Sequence, residues 1–215
     1  MTKERNDKAA ALAATLPEDR GALLDVTAEA VAAQRVAVLA YDDDAAEAAA
    51  ARYEAAVLKL NGGDFFGCMD RCNPDAGGIL ADQHCRAEPC TVPMWGQSGE
   101  FLITVAGIRC MVEIGDGFGR FRVSMHFHVV DHDAPFISET GFRSHFDTVQ
   151  GGRTVDEVAT AVFAGYLAKE RRPLAPEYRQ RRANEAPRAW LATLAAPDAA
   201  ALAYEDTAGQ MAFGF

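Results

Sequence analysis

The chain has 215 residues, of which 49% are hydrophobic and 24% are charged. These values predict one sizeable folded domain, with room for a helical extension, and they exclude wholesale disorder. The formal net charge of −10 disfavours general affinity for nucleic acid, which comes from neutralising phosphates with Lys and Arg. No apolar run approaches the ~18 residues of a membrane-spanning helix, so no membrane partner is expected.

The first 62 residues predict a helical region. The opening sequence MTKERNDKAAALAATLPEDR is interpreted as a helix and not a signal peptide, because its weakly apolar alanine stretch runs into Glu18 and Asp19. A second helix is predicted over ~27–40 with Thr27 as its cap, and a third over ~44–60 after three aspartates. The turn at 61–63, Asn-Gly-Gly, ends the third helix. A cytoplasmic location, with reduced thiols, is expected.

The next stretch, 63–99, has no periodicity and is predicted to be irregular. Four cysteines lie in it in the pattern C-x3-C-x12-C-x4-C: Cys68, Cys72, Cys85 and Cys90. Two close pairs of soft ligands resemble the arrangement of structural zinc sites, and zinc would hold such a segment in order. The spacings are looser than those of common zinc modules. Unligated cysteines, disulfides and a catalytic Cys85 beside His84 therefore stay open as alternatives.

Three strands follow, each with one apolar face. Their alternating residues are Phe101, Ile103 and Val105; Cys110, Val112 and Ile114; and Phe121, Val123, Met125, Phe127 and Val129. A two-residue turn is predicted at Gly107-Ile108. The second and third strands are predicted to pair Ile114 with Phe121 and Val112 with Val123. That register puts Glu113 opposite Arg122 and Arg109 opposite His126.

The order of elements predicts an α+β fold: a three-stranded or larger antiparallel meander packed on one face by helices, with N-terminal and C-terminal helices. A capping box of Thr154 and Glu157 opens a helix after the strands, and prolines punctuate a final helical pair. Three regions are expected. They are an N-terminal helical region (1–62), an α+β core with the cysteine-rich loop (63–170) and a C-terminal extension and tail (171–215).

The third strand carries a group of polar residues on its outward face. His126 and His128 are ~7 Å apart there and share the face with Arg120 and Arg122. One interpretation is a catalytic metal site, with His132 or His145 and Asp131 or Asp133 as further ligands. A second is an acid–base or anion site, which the arginines favour over a cation. The third is an ordinary polar face.

Two other segments are candidate binding sites. The stretch 135–152 is rich in hydroxyl groups and contains Arg143, so it predicts either a ligand loop or a loop held by its own backbone hydrogen bonds. Residues 165–190 hold seven basic side chains against three acidic ones, among them Arg181 and Arg182. This basic segment is a candidate docking surface for a partner, including nucleic acid, or a solvated helix face.

The phrases VPMWGQSGEF and HFHVVDHDAPFISETGFRSHF resemble a group of uncharacterised proteins encoded on proteobacterial plasmids and integrative elements. The resemblance covers roughly 60–170 and carries no known activity or ligand. It implies a setting in which accessory and anti-defence proteins are common.

Three functions follow as hypotheses. The first is a non-enzymatic accessory protein that docks a basic protein partner through an acidic surface, with the cysteine-rich loop held by zinc. The second is a metal-dependent hydrolase that uses His126, His128 and His132 or His145. The third is a nucleic-acid-binding module that acts through the C-terminal arginines. The oligomeric state is left open.

Overall fold

The computed structural model describes residues 3–115, 123–147, 149–186 and 188–194. Its elements, within that part of the chain, are six α-helices, four strands and a short 3-10 helix. The helices are α1 Lys3–Ala13, α2 Arg20–Leu39, α3 Asp43–Leu60, α4 Gly77–Cys85, α5 Val155–Lys169 and α6 Pro176–Asn184; the strands are β1 Gly99–Val105, β2 Ile108–Ile114, β3 Val123–Val129 and β4 Phe142–Asp147; the 3-10 helix is Leu191–Thr193.

The four strands form one antiparallel sheet in the order β1-β2-β3-β4. The predicted α+β class and antiparallel meander are confirmed. The fourth strand, β4, lies inside the hydroxyl-rich stretch and pairs with β3, with His126 opposite Ser144. The part of that stretch before β4 is a loop. There, Ser138 and Thr140 bond to each other at 2.8 Å and Thr140 Oγ1 donates to the Phe142 carbonyl at 3.1 Å, as in the self-bonded alternative.

The turn between β1 and β2 differs from the prediction by one residue. It is formed by Ala106 and Gly107, both with positive φ (48° and 71°), whereas Ile108 is the first residue of β2 and is buried. Two positive φ values match the twist of a two-residue hairpin. Glycine fills the second position of this turn, where the sequence prediction had placed it first.

The predicted register between β2 and β3 is wrong by four residues. Val112 pairs with Phe127 instead of Val123, and Glu113 pairs with His126 instead of Arg122. Strand β2 ends at Ile114 and β3 begins at Val123. Because four is an even number, the shift keeps every side chain on its predicted face while it changes every cross-strand neighbour.

One face of the sheet packs on helix α5 and forms the main core. Phe127 stacks on Phe163 of α5 with ring centroids 5.8 Å apart, and Phe136 lies against Phe163 at 5.6 Å. Trp95 joins this core and donates from Nε1 to the Arg153 carbonyl at 2.6 Å. Val38 of α2 also packs here, so the N-terminal helices are joined to the sheet through the same core.

Helix α2 begins seven residues earlier than predicted. Asp19 is its N-cap and accepts from the Ala22 amide at 2.9 Å. Thr27, the predicted cap, is fully buried in the middle of the helix, where its hydroxyl donates to the Leu24 carbonyl at 2.6 Å. Aspartate and threonine are both favoured N-cap residues, and the sequence prediction chose Thr27 although Asp19, eight positions earlier, is the cap.

Helix α4 was missed, because the segment around it was predicted to be irregular. It begins at a Gly-Gly pair, is only nine residues long and packs on both α2 and α3. Two glycines at a helix start give a poor propensity signal. This placement associates the first part of the cysteine-rich segment with the N-terminal helices, while the sheet starts at Gly99.

The C-terminal segment runs back along the sheet. Arg172 forms an isolated bridge with Phe136, and Leu174 is buried in the main core. Helix α6 has no buried residue. Among the helices that the structure describes, none is long and apolar enough to cross a membrane.

The capping box at the start of α5 gives a first testable prediction. The Thr154 amide donates to Glu157 Oε2 at 2.8 Å, and the reciprocal Thr154 contact is also made. Thr154→Ala is expected to lower the free energy of unfolding by about 1 kcal/mol, because one helix amide loses its acceptor. Urea denaturation followed by circular dichroism measures this loss. Asp156→Ala, in the same turn but outside the box, is the control and should cost only a few tenths of a kcal/mol; equal effects of the two changes would contradict the assignment.

Candidate functional site

The polar residues predicted on the third strand lie on the sheet face opposite α5, which we call the outer face. Strand alternation sends Met125 and Phe127 into the core and leaves His126 and His128 on this outer face. On β2 the same alternation places Glu113 there, directly opposite His126. The prediction that His126 and His128 share the outward face is thus confirmed.

Glu113, His126 and His128 form a compact group. Each offers one nitrogen or oxygen atom, and these three atoms lie within 4.8 Å of one another. No other such group of three His, Cys, Asp or Glu side chains occurs in the described part of the chain. The Glu113 carboxylate is 3.4 Å from His128 Nε2. The contact with His128, aided by the charges of His126 and Arg188, holds the pKa of Glu113 below its usual value.

Aromatic rings from β4 fix the two histidines from the side. Phe142 meets His128 edge-on at 5.0 Å and His126 at 5.6 Å, and Phe146 meets His126 at 6.4 Å. Both phenylalanines point to the outer face because β4 pairs Phe142 with His128 and Phe146 with Ser124. The imidazoles are therefore held in a partly apolar setting, which strengthens electrostatic interactions with their polar sides.

The C-terminal segment crosses this face and is anchored on Glu100 of β1. Arg188 Nη2 lies 3.0 Å from Glu100 Oε1, and Trp190 Nε1 donates to Glu100 Oε2 at 3.3 Å. Only 14% of the Glu100 side chain is exposed. Glu100 pairs with Glu113 across the strands, so the anchor adjoins the histidine group.

A groove of about 800 Å³ runs between the outer face and this segment. Its walls include His128 and His132 from the sheet side and Arg182, Glu185 and Arg188 from the segment. Arg182 donates to Glu185 at 2.8 Å and to the Thr140 carbonyl at 3.4 Å. The groove therefore has charged walls of both signs beside the histidine group.

Two predicted site residues lie on the other face of the sheet. His145 pairs with Met125 and bonds through Nδ1 to the Tyr166 hydroxyl of α5 at 2.9 Å. Arg143 sits over the Tyr166 ring at 4.0 Å. His145 cannot join His126 and His128 around one ion, and Arg143 cannot join them in one anion pocket, because the sheet separates them.

The loop residues after β3 have structural partners. Asp131 accepts from Arg109 Nε at 3.0 Å, and Asp133 lies 3.8 Å from Arg179. Arg109 was expected opposite His126, and its pairing with Asp131 is a consequence of the shifted register. Of the further metal ligands that were considered, His132 is the one that lines the groove.

The predicted arginine sites fall into two groups. Arg120 and Arg122 lie outside the described residues. In the basic segment, Arg181 and Arg182 both contact Glu185, at 3.6 Å and 2.8 Å, so part of their charge is balanced locally. Arg181 is the more exposed of the two, at 72% of its side chain.

The four cysteines predicted as zinc ligands are not brought together. Cys85 is buried on α4 with its sulfur 3.2 Å from the Thr27 hydroxyl, whereas Cys72 and Cys90 are exposed and Cys68 is half-buried. Burial raises the pKa of both the Cys85 and Cys68 thiols, which disfavours the thiolate that binds metal. Zinc binding by these cysteines stays a prediction for metal analysis.

The sequence analysis did not predict three residues that lie at or next to the histidine pair: Glu113, Glu100 and Arg188. The alternation along β2 predicts that Glu113 lies on the outer face. It does not predict that His126 is its cross-strand neighbour. No local pattern links Glu100 to Arg188, since 88 positions separate them.

Comparison with known proteins identifies two regions of the chain. Residues 8–84 match the KlcB N-terminal DNA-binding domain, and residues 98–191 match the KlcB third domain. Helices α2 and α3, and all but the last residue of α4, lie in the first match. The group of Glu113, His126 and His128 lies in the second. No solved structure matches the chain.

Two relatives, each called Protein KlcB and both from Escherichia coli, extend these matches. One is 51% identical over 198 residues, covering 92% of this chain and 42% of the relative. The other is 46% identical over 192 residues, covering 88% of this chain and 47% of the relative. This chain spans less than half the length of both relatives. The two domain matches together take in most of its residues, and the chain belongs to the KlcB family.

Proposed function

We propose that this chain is a non-enzymatic, DNA-binding accessory or regulatory protein of a mobile element, and that its N-terminal helices contact the DNA. The observation that carries the proposal is the match of residues 8–84 to a domain described as DNA-binding. Helices α2 and α3 pack along each other in this region, and the short α4 packs across both. A short helix held against a helical pair is a suitable element to present side chains to DNA.

The surface around α4 offers side chains for both kinds of DNA contact. Arg71 lies six residues before the helix, and Arg86 is its C-cap, two residues beyond the matched range. Both are exposed and have no ion pair with any described residue. They are suited to phosphate contacts. Gln83, also exposed, can bond to base edges through its amide. We call Arg71, Gln83 and Arg86 the α4 surface.

The charge of the domain limits how tightly it can bind. Residues 8–84 hold six Lys or Arg against thirteen Asp or Glu. Several of the basic residues are paired with acids, for example Arg52 with Glu29 at 2.9 Å and Arg20 with Asp75 at 3.3 Å. Few phosphates can therefore be neutralised, and we expect a shallow salt dependence, with a slope of log K against log salt of about −2 to −3.

Charge reversal on the α4 surface tests the proposal. Arg71→Glu and Arg86→Glu are each expected to weaken binding to a labelled DNA duplex on the order of 10-fold and to reduce the salt slope by about 1, because each removes one phosphate contact. Fluorescence anisotropy across a salt series measures both quantities. Circular dichroism verifies that both variants keep the helical content of the unmodified chain.

Arg181→Glu is the matched control, since it reverses the charge of an exposed arginine in the C-terminal basic segment. It should leave the affinity nearly unchanged. If Arg181→Glu abolishes binding and the α4 variants do not, the C-terminal segment is the nucleic-acid site. No binding by the unmodified chain at low salt would overturn DNA binding altogether.

A protein partner is the second candidate function, and the exposed acidic start of α3 favours it. Asp42 caps this helix, accepting from Ala45 at 3.0 Å, but Asp44 and Glu47 are exposed beyond the cap. This surface is suited to a basic partner, including a nucleic-acid-binding enzyme of a host defence system. Salt-sensitive capture of one host protein, lost with Asp44→Lys and Glu47→Lys together, would support it; capture that survives this double change would reject it.

A further inference from the structure

We propose that Glu113, His126 and His128 bind one zinc ion between β2 and β3. Two imidazoles and one carboxylate are a donor set that zinc accepts, since it takes both nitrogen and oxygen ligands. This site is independent of DNA binding by the N-terminal helices, because it lies in the region that matches the KlcB third domain.

The distances suit a single small ion. All three donor atoms lie within 4.8 Å of one another, and the Glu113 oxygen is 3.4 Å from His128 Nε2. Two ligands about 2.0–2.2 Å from a tetrahedral zinc are separated by roughly 3.3–3.6 Å. The Glu113–His128 edge already has this length, and the His126 nitrogen lies within 4.8 Å of both atoms.

The His128 ring supplies an independent observation. Its Nε2 atom is buried and has no hydrogen-bond partner among the described residues, even though the Glu113 carboxylate is nearby. A buried polar atom without a partner is unfavourable, and such atoms often mark an absent ion or water. A metal ion at this point would give Nε2 a strong partner and would also neutralise the adjacent carboxylate.

The charges around the group favour a cation. Glu113 and Glu100 are neighbours across the strands, and Arg188 is held by Glu100 at 3.0 Å. Among the described residues, these two carboxylates against one guanidinium leave an excess of one negative charge next to the group. Arg182, on the far wall of the groove, lies 2.8 Å from Glu185, which it shares with Arg181, so its charge is balanced in part.

Three protein ligands leave one coordination position open on a tetrahedral ion. Of the three ligands, His128 lines the groove, together with His132, Arg182 and Arg188, so we expect the open position on that side. The fourth ligand would then be water or a small anion that enters the groove between the two arginines. This arrangement distinguishes the site from a closed structural zinc site.

Zinc titration of the full, metal-free chain tests the proposal. We expect one equivalent of zinc to bind. Glu113→Gln, His126→Ala and His128→Ala should each weaken binding about 10-fold or more. Losing a metal ligand should cost more affinity than losing a residue that only hydrogen-bonds to a ligand, which itself costs about 10-fold. Competition with a chromophoric chelator gives the affinities. Circular dichroism verifies the folding of each variant.

Two controls separate this site from other donors. His145→Ala removes a histidine that also contacts a carboxylate, Asp147 at 3.3 Å, but on the opposite face and without a third donor. The combined change Cys68→Ser and Cys72→Ser removes half of the cysteine set. Both variants should bind zinc as tightly as the unmodified chain.

Cobalt substitution of the unmodified chain gives a result that does not depend on any variant folding. Nitrogen and oxygen ligation predicts visible d–d bands of Co²⁺ with no thiolate charge-transfer band. A thiolate band, loss of zinc in the cysteine variant with full retention in His128→Ala, or no zinc binding at all would each overturn the proposal.

Discussion

Replacing Phe163 with alanine is expected to lower the free energy of unfolding by about 3–5 kcal/mol, the largest stability loss that we predict. Phe163 is fully buried on α5, stacks on Phe127 and lies against Phe136. Truncation removes the aromatic contacts and leaves a cavity that these two fixed rings cannot fill. The loss corresponds to a fall in melting temperature of roughly 6–20 °C for a chain of this size.

Guanidinium denaturation followed by tryptophan fluorescence measures this effect where it arises. Trp95 belongs to the same core as Phe163 and is only 1% exposed, so its emission reports the opening of that core. Phe163→Leu keeps most of the volume and should cost only about 1 kcal/mol. The graded series from phenylalanine to leucine to alanine identifies packing as the cause.

Phe66→Ala is the matched control, because this phenylalanine is 89% exposed. Its removal should change the stability by less than about 0.5 kcal/mol. A Phe163→Ala variant as stable as the Phe66→Ala variant would mean that α5 does not cover the sheet as described. The same result would remove the physical reason for the orientation of His126 and His128, since Phe127 between them is anchored by Phe163.

The sequence was sufficient to predict the first three strands and their faces. Alternation of Phe101 and Ile103, and of Val112 and Ile114, requires one buried face, and all four side chains are buried in the main core. The same rule put His126 and His128 outward. Face prediction succeeds because burial acts on each side chain separately, and so the local pattern contains the information.

Register was not predictable in the same way. Any even shift between β2 and β3 preserves the alternation, so the pairing of Val112 with Phe127 or with Val123 satisfies the pattern equally well. This single error concealed the part of Glu113 in the candidate site, because it gave Glu113 an arginine neighbour in place of His126.

Long-range contacts were the other limit. The anchor between Glu100 and Arg188, and the groove it closes, depend on where the C-terminal segment returns to the sheet. Strand β4 was missed for a related reason. It is an edge strand of the sheet and pairs with β3. Its burial pattern lacks clean alternation, since Arg143 and Phe146 are both exposed.

The cysteine-rich segment has a source of order that its cysteine spacing did not indicate. Its four cysteines suggested metal because no other source of order was visible in 63–99. The structure supplies a different source: Ala81 and Cys85 of α4 are buried, and Gly77 lies against the end of α3. Close packing of a short helix can order a segment that has little periodicity of its own.

That packing leads to the second large effect. Gly77→Ala is expected to destabilise the N-terminal helices by about 2–3 kcal/mol and to weaken DNA binding on the order of 10-fold or more. A Cβ atom at this position would lie 2.7 Å from the Val57 carbonyl oxygen and 2.8 Å from the Asn61 amide nitrogen. Both are backbone atoms, one in the last turn of α3 and one at its C-cap, so α4 itself must move away.

Asn61 makes this displacement costly. Its Oδ1 accepts from the Gly77 amide at 2.9 Å, and its Nδ2 donates to the Asp64 carbonyl at 2.6 Å and to the Phe66 carbonyl at 3.1 Å. One side chain thus connects the end of α3, the following loop and the start of α4. A shift of α4 breaks the first of these bonds and displaces Gln83 and Arg86, which belong to the α4 surface.

Gly165→Ala is the matched control, a glycine-to-alanine change in the exposed part of α5. A Cβ there meets no described atom within 4 Å, so the helix should gain about 0.5–1 kcal/mol from the better helix former. Thermal melts compare the two variants, and anisotropy compares their DNA binding. If Gly77→Ala melts like the unmodified chain, the close approach of α4 to α3 is wrong. If it is destabilised yet binds DNA with full affinity, α4 is placed correctly but does not present the DNA-binding side chains, and the α4 surface must be abandoned while the packing is kept.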